Sequence, residues 1–183
     1  MQTIHRYTRT AIALHWLIAI LVFVGFTVGL IMTDIQGFTM MKLKYFSWHK
    51  WIGVTVFLLV IVRIIWRLLH PVPPLTATMP AWQTRASFCI HAGLYGLLFA
   101  IPITGYFYSL AAGVQVVYFG VLPLPVLISK NDALKEILVQ LHAILNYTMA
   151  GLVAVHTVAA LKHHFIDRDG VLARMVPFFN RSH

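Results

Sequence analysis

The sequence predicts an all-α membrane protein built as a four-transmembrane-helix bundle. Two observations carry that prediction. The chain of 183 residues is 60% hydrophobic and only 10% charged, with a mean hydropathy of +0.80. Soluble domains carry roughly a quarter charged residues. The apolar residues also gather into four segments, at about residues 10–33, 48–69, 86–110 and 136–165. Each meets the roughly 20 residues needed to cross hydrocarbon. No repeat or low-complexity tract interrupts them, so residues 1–183 read as a single membrane domain.

The first segment, from Thr10 to Met32, is too long for a signal-peptide core and lacks an Ala-x-Ala site, so it reads as a retained span. Within it, Gly25-Phe26-Thr27-Val28-Gly29 is a G-x-x-x-G, which permits close contact with a helix or a flat macrocycle. The second segment closes at His70-Pro71-Val72-Pro73-Pro74, which cannot continue a helix. The third contains Pro102, expected to kink it, and the single cysteine, Cys89, read as a small buried apolar residue. One cysteine allows no internal disulfide, and without C-x-x-C-H no covalent haem attachment is expected. Between the third and fourth segments, residues 111–135 are apolar for a loop in water. They read as an interfacial aromatic anchor or, on the sharper reading, as a lid over a site at the outer face.

The formal charge of +9 is not a nucleic-acid signal, because no basic domain stands outside the membrane segments. It fits positively charged loops instead. One side of the bundle collects Arg6, Arg9, Arg63, Arg67, Arg85, Lys162, Arg168, Arg174 and Arg181; the other collects Lys42, Lys44, Lys50, Lys130 and Lys135. The richer side is expected to be cytoplasmic, with both termini inside.

Four histidines fall within the apolar segments at matching depths. His142 and His156 share one segment, fourteen residues apart. That spacing returns to within about 40° of the starting direction and advances about 21 Å along a helix. One face therefore carries two imidazoles at two depths. His15 enters early in the first span and His156 lies late in the fourth, so both occupy the inner half. His49 opens the second span and His142 the fourth, so both occupy the outer half. Histidine is a common haem axial ligand, and an ionisable group within a bilayer points to function. The pattern predicts two b haems between the helices, ligated by His15 with His156 and by His49 with His142.

Arg63 and Arg67 lie fourteen and eighteen residues past His49, roughly on its face. A buried cation needs an anion or a path to water. The five acids, Asp34, Asp132, Glu136, Asp167 and Asp169, sit at ends or in loops, so a haem propionate is the expected partner of Arg63. Arg67 divides evenly between that role and snorkelling to the surface. The lack of carboxylates well inside a span argues against proton pumps and cation transporters and for electron transfer. His91, early in the third span, reads as a hydrogen-bonded neighbour rather than a third ligand. His163 and His164 end the fourth span. They read equally as surface groups favoured by the helix dipole and as groups that bond a quinone carbonyl or relay its protons.

The chain resembles the bacterial cytochrome b561 family over nearly its whole length. The segments that carry the resemblance are Ala13-Leu14-His15-Trp16-Leu17, His49-Lys50-Trp51-Ile52-Gly53, Arg63 through Arg67 with Pro71-Val72-Pro73-Pro74, Pro102-Ile103-Thr104-Gly105-Tyr106, Leu141-His142, and His156 followed by Ala159-Ala160-Leu161-Lys162-His163-His164-Phe165. The resemblance implies four spans in the bacterial inner membrane and two b haems on His15, His49, His142 and His156. It also implies quinone chemistry and, in one branch, oxidation of superoxide with electrons passed to ubiquinone. The expected function is thus an oxidoreductase moving electrons between a small outer donor such as superoxide and membrane quinone, with Lys50 and Lys130 steering an anionic donor. The rival readings are a haem b anchor subunit relaying electrons from a dehydrogenase or hydrogenase partner, and a four-helix protein without redox chemistry.

Overall fold

The computed structural model describes residues 7–70 and 80–176. Arg6, the Pro71–Pro74 turn and Arg181 lie outside the described residues. Four long helices run up and down: α1 over Arg9–Asp34, α2 over Met40–Leu69, α3 over Ala81–Ala111 and α4 over Asp132–Lys162. All four are long and apolar enough to cross a membrane.

Local chemistry sets their starts. Thr8 caps α1 by accepting the Ala11 N–H at 3.2 Å, Thr39 caps α2 from Lys42 at 3.1 Å, and Asn131 caps α4 from Leu134 at 3.0 Å. Each cap satisfies a backbone donor that the first turn leaves orphaned. Pro80 precedes α3, and the helix runs unbroken through Pro102. The helices outrun the apolar segments: α2 begins at Met40 and α4 at Asp132. His49 is therefore nine residues into its helix and His142 ten into its own, not in their opening turns, which places both about 14 Å from the helix starts. The reason is that Met40–Ser47 and Asp132–Lys135 continue the helix with polar and amphipathic residues that no hydropathy window selects.

The helices pack as two pairs, α1 with α2 and α3 with α4, joined mainly through α2 against α3. The core sits at that junction, where Ile18, Val56 and Val60 pack with Tyr95, Leu98 and Phe99. Large apolar side chains such as Phe23, Leu68 and Phe88 point outward, as a lipid-facing surface requires. Cys89 is exposed as well, correcting the expectation that it is buried. In a membrane span an outward thiol meets hydrocarbon, so its apolar surroundings in the sequence do not place it inside the bundle.

Two additions close the ends. At one end, residues 112–131 form a docked hairpin rather than a loose loop. Strands β1 (Val117–Tyr118) and β2 (Leu122–Pro123) pair antiparallel, with Tyr118 opposite Leu122. The turn between them puts Phe119 and Gly120 at φ of 50° and 73°, the positive values a type I′ turn needs. Trp51 Nε1 donates to the Val117 carbonyl at 2.8 Å, the Thr55 and Tyr118 hydroxyls are 2.9 Å apart, and the Tyr106 hydroxyl donates to the Pro125 carbonyl. These bonds pin the hairpin to α2 and α3, each contributing about 1 kcal/mol net. At the other end, α4 widens into a π turn over His163–Asp167, and the chain reverses at Arg168, whose φ is +51°. A 3₁₀ turn over Leu172–Arg174 then folds back beneath the bundle, where Trp16 Nε1 donates to the Met175 carbonyl at 2.9 Å.

Candidate haem sites

Between the two helix pairs lies a cavity of about 1260 Å³ that runs the length of the bundle. It exceeds the roughly 300–1,000 Å³ of ordinary small-molecule pockets. All four span histidines line it, as do His91, Arg63, Arg67, Lys50 and His163.

The histidines meet as two pairs. The rings of His15 and His156 have centroids 6.3 Å apart, and those of His49 and His142 are 6.1 Å apart. A metal held in line between two imidazole nitrogens at about 2.0–2.1 Å each would put the centroids about 6.4 Å apart. Both pairs fit that spacing. Helix α4 supplies one member of each pair, α1 and α2 supply the others, and α3 supplies neither. A group bound by both pairs would therefore tie α4 to α1 and to α2, across the interface that is otherwise thinnest.

The pair near the hairpin, the hairpin-end pair, is held on every side. His49 Nδ1 lies 3.0 Å from the Gly25 carbonyl. A carbonyl only accepts, so Nδ1 carries the proton and Nε2 presents a lone pair to the cavity. Thr104 Oγ1 lies 2.8 Å and 2.9 Å from the Ala100 and Ile101 carbonyls and 3.1 Å from His142 Nδ1. Its single proton serves the carbonyls, so the oxygen accepts from His142 and sets the same tautomer. An N–H bond at the remote ring nitrogen is how proteins orient a metal-ligating imidazole. Two glycines complete the cradle. A Cβ on Gly29 would stand 3.2 Å from His49 Cε1, and one on Gly105 would stand 2.9 Å from His142 Cε1. Gly25, the other half of the G-x-x-x-G, is pressed against Ile52, where a Cβ would stand 3.1 Å from Cγ2. That motif thus brings α1 against α2 and seats His49.

The pair near the chain termini, the terminal-end pair, is looser. Neither His15 nor His156 has a ring hydrogen bond among the described residues. His91 instead approaches His156, with centroids 5.2 Å apart. Its Nδ1 donates to the Ser87 carbonyl at 2.6 Å. Arg63 spans this end: Nε donates to the Tyr95 hydroxyl at 3.0 Å and Nη1 to the Ala11 carbonyl at 2.9 Å. The Arg67 guanidinium lies 5.9 Å from the centre of the Tyr95 ring, close enough for a cation–π contact.

Further out, His163 Nδ1 is 2.6 Å from Asp169 Oδ2 and 3.2 Å from Asp167 Oδ2, and Lys162 Nζ is 2.6 Å from Asp167 Oδ2. His164 stacks edge-on against Phe165 at 4.8 Å. At the hairpin end, Lys50 is half-buried at the cavity wall beside His49. Lys130 is exposed, pairs with Asp132 at 3.6 Å and packs its stem on Gly113. Sequence reasoning missed Thr104, Gly105, Gly25 as an acceptor and Tyr95. Their signal was present in part, since Thr104 and Gly105 follow a proline inside a span.

Residues 6–178 match the family described as prokaryotic cytochrome b561. Among curated proteins, the chain is 36% identical to cytochrome b561 homolog 2 of Escherichia coli K12, covering 96% of this chain and 93% of that one. It is 28% identical to cytochrome b561 homolog 1 of the same organism, over 94% of this chain and 98% of the relative. It is 27% identical to a probable superoxide oxidase, CybB, of Yersinia pestis, over 94% and 96%.

Proposed function

The chain belongs to the prokaryotic cytochrome b561 family, and from that premise we propose that it passes electrons across the bilayer through two b haems to or from a quinone. It is a haem b oxidoreductase of electron transport and a multi-pass protein of the bacterial inner membrane. In our reading His15 and His156 hold one haem, His49 and His142 hold the other, and both termini face the cytoplasm. The observation that carries this is the presence of two imidazole pairs, at 6.3 Å and 6.1 Å, in one cavity. Haem supplies one-electron transfer when bound. The chain's residues supply the rest. Gly25 and Thr104 keep the Nε2 atoms of His49 and His142 unprotonated. Arg63 and Arg67 offer positive charge for propionates, and among the described residues neither is paired with a carboxylate of the chain. The lipid-facing apolar surface keeps the conduit dry.

The donor we propose is a small anion, superoxide, arriving at the hairpin end; the likeness to the Yersinia pestis protein, a probable superoxide oxidase, supports that choice. Lys50, at the cavity wall next to His49, is the cation best placed to attract it. Lys130 shares its charge with Asp132 and contributes less. The acceptor is ubiquinone or a related quinone at the terminal end, where His163, held by two carboxylates, and His164 are placed to bond a carbonyl or pass it protons. A soluble redox partner would replace superoxide if the chain is an anchor subunit. The test is direct. Purified protein should contain two haems by pyridine haemochrome, be reduced on rapid mixing with superoxide, and pass electrons to added ubiquinone. The rate should fall with salt, because screening shortens to roughly 10 Å near 0.1 M. Lys50→Gln should slow reduction several-fold at low salt with haem content intact. Reduction no faster than in an unrelated haem-bearing membrane protein would reject superoxide in favour of a protein or quinol donor. Absence of haem from folded protein would reject the whole reading.

A further inference from the structure

We propose that the terminal end of the bundle binds the phosphate of an anionic phospholipid, in a niche distinct from the long cavity. The niche holds about 30 Å³. It is lined by Thr8 at the start of α1, by Arg63, Trp66, Arg67 and His70 at the end of α2, and by Tyr95 of α3. Thr8, Trp66 and His70 line it without lining the cavity, whereas Arg63, Arg67 and Tyr95 line both. No carboxylate lines it. One buried water needs roughly 10–15 Å³, so the niche admits about two oxygen atoms, as many as a phosphodiester leaves free.

The side chains around it are left with protons to give. Thr8 Oγ1 accepts twice, from the Ala11 N–H at 3.2 Å and from Trp66 Nε1 at 2.9 Å. Its lone pairs are filled and its own proton remains. The Tyr95 hydroxyl accepts from Arg63 Nε at 3.0 Å and likewise keeps its proton. Arg63 spends one more N–H on the Ala11 carbonyl at 2.9 Å, which leaves most of a five-donor fork. Arg67 rests on the face of Tyr95 at 5.9 Å and has no hydrogen bond or ion pair among the described residues. The two guanidiniums stand four residues apart on one helix, an unfavourable spacing for like charges. An oxyanion between them supplies the missing charge and accepts from both forks and both hydroxyls. Arginine meets phosphate through paired N–H bonds, and the donors left on Arg63 suffice for an anion in the cavity as well. Depth and surroundings favour a lipid over free phosphate. From Arg63 to His70 the chain covers about 10 Å at the very end of α2, where a span leaves hydrocarbon for headgroups. Half-buried Trp66 marks the same level, as interfacial tryptophans do. Leu68 and Leu69, next to Arg67, are exposed and offer a surface to acyl chains. Basic pockets between transmembrane helices are where anionic headgroups are held.

Native mass spectrometry of the purified, delipidated protein in detergent tests this by counting added lipids. Phosphatidylglycerol should fill one high-affinity site per chain. It should bind about tenfold more tightly than phosphatidylcholine, whose choline brings a cation against the arginines. Equal binding of the two lipids overturns the proposal. Inorganic phosphate in excess should not displace the lipid; displacement would make the niche a site for free phosphate and reject the lipid. Arg67→Gln should weaken phosphatidylglycerol binding about tenfold, through loss of one charge-assisted fork. Arg85→Gln removes the same charge from an exposed position of α3 that does not line the niche, and should leave binding unchanged. Equal weakening in both variants would reduce the site to diffuse attraction. Unaltered lipid binding in Arg67→Gln, with altered haem content or spectrum, would assign Arg67 to the cavity alone. Either result rejects the niche. If Arg67→Gln does not fold, the comparison of the two lipids and phosphate on the native protein decides.

Discussion

The two ends of the cavity use the same residue pair in different settings. At the hairpin end His49 and His142 are each hydrogen-bonded at Nδ1 and pressed by a glycine, and a pinned β-hairpin closes the bundle beside them. At the terminal end His15 and His156 lack those bonds among the described residues, a third imidazole stands beside His156, and arginine takes the place of glycine packing. The difference teaches that one end fixes its imidazoles through hydrogen bonds and close packing, while the other leaves its pair less constrained. A rigid site suits a step that receives electrons one at a time from a fixed direction.

The largest effects should come from the proposed ligands. His49→Ala and His142→Ala should each eliminate the hairpin-end haem and lower haem per chain from two to one, since among the described residues no third imidazole is near. His15→Ala should do the same at the terminal end, because it removes one of the two imidazoles of that pair. Pyridine haemochrome counts and redox titration of the remaining haem check each case. A folded His142→Ala protein with two haems would break the pairing and the comparison with it.

Next in size is the glycine cradle. Gly105→Ala places a methyl group 2.9 Å from His142 Cε1, closer than real Cβ contacts come, on a helix backbone that cannot retreat without moving α3 from α4. Rotation of the ring would also strip its bond to Thr104. Gly105→Ala should therefore lose most of the hairpin-end haem. Gly29→Ala, at 3.2 Å from His49 Cε1, should lose less. Equal haem content in both variants and the native protein would show that this end is no tighter than the other.

How much of this was legible in the sequence depends on whether a feature is local. The spans were legible because bilayer thickness imposes a length on apolar runs. The histidine pairs were legible because fourteen residues is nearly a whole number of helical turns, so depth alone sorted four residues into two sets. The glycine and threonine contacts were not, because they depend on which face of α3 meets α4, and hydropathy is blind to rotation in a helix apolar all round. The hairpin was hidden for a related reason. Val116–Leu127 reads as greasy loop, and only the bonds from Trp51, Thr55 and Tyr106 on other helices turn it into structure. The Ser87–His91 bond is an i to i−4 contact that a helical reading could have found.

Arg63 tests the terminal end. It braces α1 and α3 through the Ala11 carbonyl and the Tyr95 hydroxyl while lining the cavity. A cation near a haem favours the reduced state, which carries one more negative charge, and in a poorly screened interior the effect is appreciable. Arg63→Leu should keep both haems and lower the terminal-end potential, with Arg63→Lys restoring most of it. Redox titration checks this. An unchanged potential in folded protein would reduce Arg63 to a brace and remove charge from the contrast between the ends.

The smallest effect, and the sharpest, belongs to Thr104. Its oxygen accepts from His142 Nδ1–H at 3.1 Å while its proton serves two carbonyls. Thr104→Val keeps the shape and removes this acceptor, leaving the Ile101 carbonyl beside the ring. The His142 ring loses the bond that makes it more electron-rich, so the oxidised state is less well stabilised and the potential should rise. One neutral hydrogen bond contributes about 1 kcal/mol, or roughly 40 mV for one electron at 59 mV per tenfold. The shift should appear only in the hairpin-end haem, since among the described residues the terminal-end pair has no such bond to lose. Thr104→Ser should restore the native value. A shift of both haems would mean that the threonine acts through the packing of α3 rather than through the ring. A shift of neither would mean that the Ile101 carbonyl holds the His142 proton without the threonine, whose part at this end is then packing alone.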